Sequence, residues 1–188
     1  MTPPFVKRDN SKSKRQTMSG RPNILFILVD DLGWRDVGYN GSTFYETPHL
    51  DQLARESIQF TDAYAACPVC SPTRASALTG QYPARVGVTD FIDWTGKTHP
   101  RKGRLIDVPY LKQLPASPHT LPKVLKNQGY ATWHVGKWHL GGEGSLPEDH
   151  GFDRNIGGCH LGQPAGGYFS PWDRIPPLAG ADVPAGTY

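Results

Sequence analysis

Asn23-Ile24-Leu25-Phe26-Ile27-Leu28-Val29-Asp30-Asp31 is the stretch on which the fold class turns. Apolar residues run from Ile24 to Val29 without a polar break, after Pro22 and before two carboxylates. The run is short for a buried helix and rich in branched side chains. It reads as a strand buried on both faces, as in the middle of an α/β sheet. In open α/β sheets, sites gather at the carboxyl ends of strands, which is where Asp30 and Asp31 stand. Adjacent carboxylates repel, and a hard divalent cation with oxygen ligands gives one reason for the pair. Asp30-Asp31-Leu32-Gly33 also reads as a turn, and both readings stay open.

Helical and strand patterns alternate downstream. Thr47 and Pro48 open a helix carrying Leu50, Leu53 and Ala54. Residues 58–64 alternate like a strand. Cys70 sits at a turn that leads into a helical stretch over 72–79, stopped by Gly80. Residues 81–118 are rich in Gly, Pro and charge and read as a long functional loop. Thr120 caps another helix, ended by Gly129, and Tyr130–Val135 reads as the next strand. The class expected is α/β: a largely parallel mixed sheet flanked by helices on both faces.

The chain has 188 residues and a formal charge of +3. Residues 1–21 hold six basic residues against Asp9, which leaves the remainder at −2. This stretch is expected to be a disordered basic leader, solvated rather than bound to nucleic acid or membrane, followed by one domain over 22–188. Met18 offers an alternative start. No apolar run is long enough to span a membrane, and the leader lacks the apolar region of a secretory signal, so the sequence points to the cytoplasm. Cys67, Cys70 and Cys159 are too few for a disulfide scaffold.

Cys70 opens a helix, where backbone N–H groups favour an anion. Arg74, one turn on, can reach the same anion. Cys67-Pro68-Val69-Cys70 also has the spacing of a redox pair, and a buried structural cysteine is a further reading. Ser71-Pro72-Thr73-Arg74 is not what a redox helix requires. Lys137 and His139 follow a strand and, if extended, point to one side. A cation and an imidazole there can hold an anion and protonate a leaving group.

In this order the motifs resemble the N-terminal part of the type I sulfatases, within the alkaline-phosphatase-like superfamily. The resemblance covers about residues 21–175. It rests on the Asn23–Asp31 segment, on Cys70-Ser71-Pro72-Thr73-Arg74-Ala75-Ser76-Ala77-Leu78-Thr79-Gly80 and on Gly136-Lys137-Trp138-His139-Leu140-Gly141. Thr47-Pro48-His49-Leu50-Asp51, Gln81-Tyr82-Pro83 and His150-Gly151-Phe152-Asp153 support it.

The resemblance implies hydrolysis of a sulfuric ester, of a sulfated carbohydrate or small aryl sulfate. It implies that a maturation enzyme, reading Pro72 and Arg74, oxidises Cys70 to formylglycine (3-oxoalanine). The hydrated aldehyde attacks sulfur through one hydroxyl and expels sulfate through the other. Calcium falls to Asp30, Asp31 and the modified Cys70. Arg74 steadies the formylglycine, Lys137 binds sulfate, and His139 assists the hydrate or binds an oxygen. His160 is a candidate substrate contact, and Trp94, Tyr168, Phe169 and Trp172 are candidate sugar-stacking residues. His134 is expected to pack within its strand. Relatives are often periplasmic or secreted. The resemblance also implies a later Asp-Asn pair and a later His and Lys, so a truncated catalytic domain is expected here. Phosphonate monoester or phosphodiester hydrolysis, and a non-catalytic fragment, are the alternatives.

Overall fold

The computed structural model describes residues 20–95, 103–106, 108–117 and 119–188. The chain divides into two compact units, residues 1–32 and 33–188. The expected basic leader lies, up to residue 19, outside the described residues.

In the first unit, residues 21–29 form neither helix nor ladder. The expected buried strand is exposed instead: Leu25 is 85% and Ile27 67% accessible. A strand exists only in a ladder, because each of its N–H and C=O groups needs a partner on a neighbouring chain. Hydrophobicity cannot supply one. Asp30 and Asp31 form a turn, and Asp31 takes a left-handed φ of 55°, which a short polar side chain tolerates.

Among its described residues, the second unit carries four α-helices: α1 (Pro48–Glu56), α2 (Cys70–Thr79), α3 (Pro83–Val86) and α4 (Leu121–Asn127). Its strands β1 (Trp133–Val135) and β2 (Arg154–Ile156) pair in parallel, His134 opposite Asn155. Pro48 at the start of α1 costs nothing, since the first-turn N–H groups lack helical acceptors. Thr47 does not cap its own helix. Its hydroxyl accepts the Gly38 N–H at 2.8 Å and donates to Asp51 at 2.8 Å, tying α1 to the preceding turn. Thr120 likewise donates to the His150 carbonyl at 2.6 Å instead of capping α4. The alternating run over 58–64 is not a strand, and Ile58, Phe60 and Tyr64 are exposed.

The core comprises Ala75, Val86, Val88, Ile92, Leu114, Trp138 and Leu140, with Leu78 and Phe152 against it. Four of these come from the segment expected to be a loop. Val86, Val88, Ile92 and Leu114 follow no helical or strand period, so periodicity did not mark them as buried. Trp138, 1% exposed, is the largest core side chain. Its indole N–H donates to the Ser145 carbonyl at 2.7 Å. His134 lies edge-on to it with ring centres 5.3 Å apart and lies also against Phe152, so it does pack beside its strand. Among the described residues, no helix is long and apolar enough to cross a membrane.

Candidate active site

Helix α2 begins at Cys70, as its sequence leads one to expect. Val69 precedes it in extended conformation, and Gly80 closes it in the left-handed conformation at φ 68°, its N–H on the Ser76 carbonyl. Pro72 falls in the first turn, where a missing N–H is harmless. The Thr73 hydroxyl donates back to the Cys67 carbonyl at 2.5 Å, folding the cysteine-bearing turn over the helix start. Cys67 and Cys70 are half-buried free thiols and Cys159 is a buried one.

One face of α2 is pinned to the second half of the unit. Arg74 lies one turn past Cys70, on the same face. Its Nη1 donates to the Lys137 carbonyl at 2.6 Å. Residues 63 positions apart thereby meet, and the charge-assisted bond fixes the segment after β1 against the Cys70 helix. Ser71 is fully buried, and its oxygen accepts the Ile92 N–H at 3.0 Å.

His139 is 4% exposed and holds a left-handed φ of 57°. Its N–H donates to the Cys159 carbonyl at 3.1 Å, and its Nε2 lies 2.8 Å from the Ile92 carbonyl. Gly162 lies against the ring: a Cβ there would sit 2.6 Å from Cε1. His139 and Asp31 are the non-glycine residues with positive φ among those described. Such strain concentrates at functional sites.

His160, next to Cys159, stands edge-on to Trp94 with ring centres 5.2 Å apart. Trp94 is 41% exposed, so this pair opens to solvent two residues beyond Ile92. Tyr168 and Phe169 pack instead on Tyr188, and the Trp172 indole donates to the Tyr168 carbonyl.

A half-buried histidine, His134, and a buried one, His150, frame this arrangement. His134 is pushed down to about 4, first by burial and then by the Arg74 charge. His150 is also pushed down to about 4, chiefly by burial, with Lys123 adding to it. Its Nε2 lies 2.9 Å from the Ser145 hydroxyl, which in turn donates to the Leu114 and Leu140 carbonyls. Nothing in the sequence pairs Ser145 with His150, although His150-Gly151-Phe152-Asp153 stands out as a motif.

Through the Arg74 bond to the Lys137 carbonyl and the His139 N–H bond to the Cys159 carbonyl, the helix that begins at Cys70 and the segments of Lys137, His139 and His160 are tied together within the second unit. Asp30 and Asp31 belong to the first unit. Their oxygens suit calcium in kind. Among the described residues, however, no three His, Cys, Asp or Glu side chains gather as a metal would need.

The sulfatase family profile matches residues 22–164. The chain belongs to the sulfatase family. It is 43% identical over 144 residues to N-acetylgalactosamine-6-sulfatase of Mus musculus, covering 75% of this chain and 26% of that protein. It is 41% identical over 168 residues to Mus musculus steryl-sulfatase, covering 82% and 25%. Among solved structures, Ps i-CgsB superposes with a TM-score of 0.59 at 36% identity, over 71% of this chain and 27% of that one. Its complex with k-i-k-neocarrahexaose gives a TM-score of 0.53. The chain thus spans about a quarter of the length of these relatives. The α/β, alkaline-phosphatase-like fold class follows, and the short parallel sheet with its helices is this chain's part of it.

Proposed function

We propose that residues 22–188 supply the nucleophile-bearing, N-terminal portion of a catalytic domain that hydrolyses sulfuric esters of saccharides. The observation that carries this reading is the Arg74 bond to the Lys137 carbonyl. It sets the helix that bears Cys70 beside the Lys137-Trp138-His139 segment, which supports reading the two as one site. Arg74 and Lys137 provide positive charge for an anionic ester, at a helix start that itself favours anions. His139, held by Ile92, is the group that handles a proton or a sulfate oxygen.

In this reading Cys70 is carried as formylglycine, whose hydrate supplies a nucleophile that a thiol does not. Pro72 is fully buried and Arg74 half-buried once the chain has folded. A maturation enzyme that reads both therefore acts before α2 packs. We assign Asp30 and Asp31 to calcium on the family resemblance, since their oxygens are hard donors of the kind that ion takes. Support for a saccharide comes from the N-acetylgalactosamine-6-sulfatase relative, from the neighbour solved with a carrageenan oligosaccharide, and from the open Trp94–His160 pair. The steryl-sulfatase relative shows that the family motifs alone do not select a sugar.

Co-expression with a formylglycine-generating enzyme, followed by mass spectrometry of the Cys70 peptide, tests the modification. Sulfate release from sulfated oligosaccharides tests the reaction, with Cys70→Ala falling to background. Faster turnover of a phosphate diester than of the matched sulfate ester would transfer the assignment to the phosphonate and phosphodiester hydrolases. Calcium titration of wild type against Asp30→Asn reads the metal assignment; equal binding by both would remove it.

A further inference from the structure

Trp94 is a large apolar side chain that stands at the surface yet is held in place. It is 41% exposed and lies edge-on to His160 with ring centres 5.2 Å apart. An edge-on partner covers at most one face of an indole and leaves the other uncovered. Asp93 shapes the turn that presents Trp94: one carboxylate oxygen accepts the Thr95 N–H at 2.8 Å and the Thr95 hydroxyl at 2.6 Å. Gly142 lies beneath both rings. A Cβ there would meet the His160 Cβ at 3.7 Å and Trp94 Cη2 at 3.8 Å, so a methyl group fits and a branched side chain presses on the pair. The two segments that carry the pair are both bonded to His139. The Ile92 carbonyl lies 2.8 Å from His139 Nε2, and the Cys159 carbonyl accepts the His139 N–H at 3.1 Å. Two residue steps span at most about 7 Å, so the Trp94 backbone starts within about one sugar ring's length of the Ile92 carbonyl. His160 is closer still to its own contact, one step past Cys159.

We infer that Trp94, His160 and Gly142 form a subsite for the pyranose ring that bears the sulfate, beside the His139 segment. The indole face stacks on the C–H face of the sugar. The half-buried imidazole of His160, which both donates and accepts, pairs with a ring hydroxyl. Gly142 leaves the room in which the ring settles. An apolar ring system of the same size satisfies the indole but strands the imidazole, so the pair favours a sugar over a hydrocarbon. The inference rests on the sulfatase reading for the sulfate and on these three residues for the ring, and ligands that carry one part or the other separate the two.

The test is an NMR titration of the full chain, isotopically labelled in tryptophan and histidine side chains, with the Trp94 indole assigned through a Trp94→Phe spectrum. The ligands are methyl galactopyranoside sulfated on its primary hydroxyl, the unsulfated galactoside, and methyl sulfate. The sulfated galactoside should move the Trp94 and His160 resonances saturably. Trp94→Ala should weaken its binding about tenfold, the size of one aromatic contact, and Trp94→Phe should keep most of it. Gly142→Val should weaken it as well, while Gly142→Ala should not. Methyl sulfate, which has no ring, should bind wild type and all four variants alike. A wild type whose Trp94 resonance stays still under the galactosides would overturn the inference. So would a Trp94→Ala protein that binds the sulfated galactoside as tightly as wild type, or one that loses methyl sulfate in equal measure. Both galactosides binding equally, and both weakened by Trp94→Ala, would sink the sulfatase reading while the ring subsite stands.

Discussion

The apolar run 24–29 and the helix 70–79 are both strong sequence signals, and the structure treats them in opposite ways. The first is exposed along its length. The second is held by Ser71 and Arg74 to residues 92 and 137 and buries Ala75 in the core. They differ in what each needs. A helix satisfies its backbone internally and requires one covered face. A central strand requires two partner strands, whatever its own composition. Order in this chain therefore follows the availability of partners rather than apolar content. The variants below test that statement, from the side rich in partners to the side without them.

Trp138→Ala should cause the largest loss. The indole is buried, donates to Ser145 and touches His134, His150 and Phe152. Truncation of such a core aromatic costs about 3–5 kcal/mol. Urea denaturation checks it, and a loss near zero would mean that the Trp138 cluster is not what holds the second unit. The same cluster sets an acid limit. His150 has an ordinary affinity when unfolded, near pH 6.5, and is lowered to about 4 when folded. The unfolded chain therefore takes up the proton first. The stabilisation is fully present above pH 6.5 and drains away as the pH falls toward 4, on the order of 3 kcal/mol in all. Denaturation midpoints across that window should fall with acid, and His150→Gln should flatten the slope. An unchanged slope would show that His150 is not the group responsible.

Arg74→Ala tests the link itself. A hydrogen bond from a charged donor contributes about 1.5–3 kcal/mol, and at this part-buried site a loss toward the lower end is expected. Its second consequence is local. The Arg74 charge helps to hold His134 down, so removing it should raise the His134 pKa from its value of about 4, as read by proton NMR. A stability loss with no movement of His134 would place Arg74 elsewhere than against the segment after β1.

The helix that begins at Cys70 was legible in the sequence because its signals are local. Cys70 and Arg74 share a helical face by spacing alone, and Gly80 marks the stop. Lys137 and His139 could be named as a pair following a strand. What spacing could not show is where their polar atoms go. His139 was expected to face a substrate group, and its Nε2 is bonded to Ile92. Thr47 and Thr120 were expected to cap, and each reaches across to another segment. Such hydrogen bonds, over 9, 30 and 47 residues, depend on how loops return, which no local period encodes. Val88 and Ile92 escaped for the same reason, since an irregular segment can enter a core with no repeat to announce it. The run 24–29 shows the converse: its reading was sound chemistry for a strand, but the ladder that makes a strand is a property of pairs.

Leu25→Ser should have the smallest effect, and it is the most direct challenge to the contrast between the two regions. Leu25 is 85% exposed, so its side chain buries little on folding. Exposed substitutions away from special features fall within about 0.5 kcal/mol. A buried strand leucine replaced by a polar residue would instead cost several-fold more, through lost apolar burial and a stranded hydroxyl. Denaturation of Leu25→Ser beside Trp138→Ala thus asks whether partners or composition govern order here. A near-zero loss keeps the distinction. A loss above about 2 kcal/mol, the range of buried core leucines, would show that the run is packed in solution and would abolish it. Solubility offers a second readout. Contiguous exposed apolar surface of this kind promotes association, so the serine variant should remain monomeric at higher concentration than the wild type. If both associate alike, the exposed run is not the surface through which copies meet.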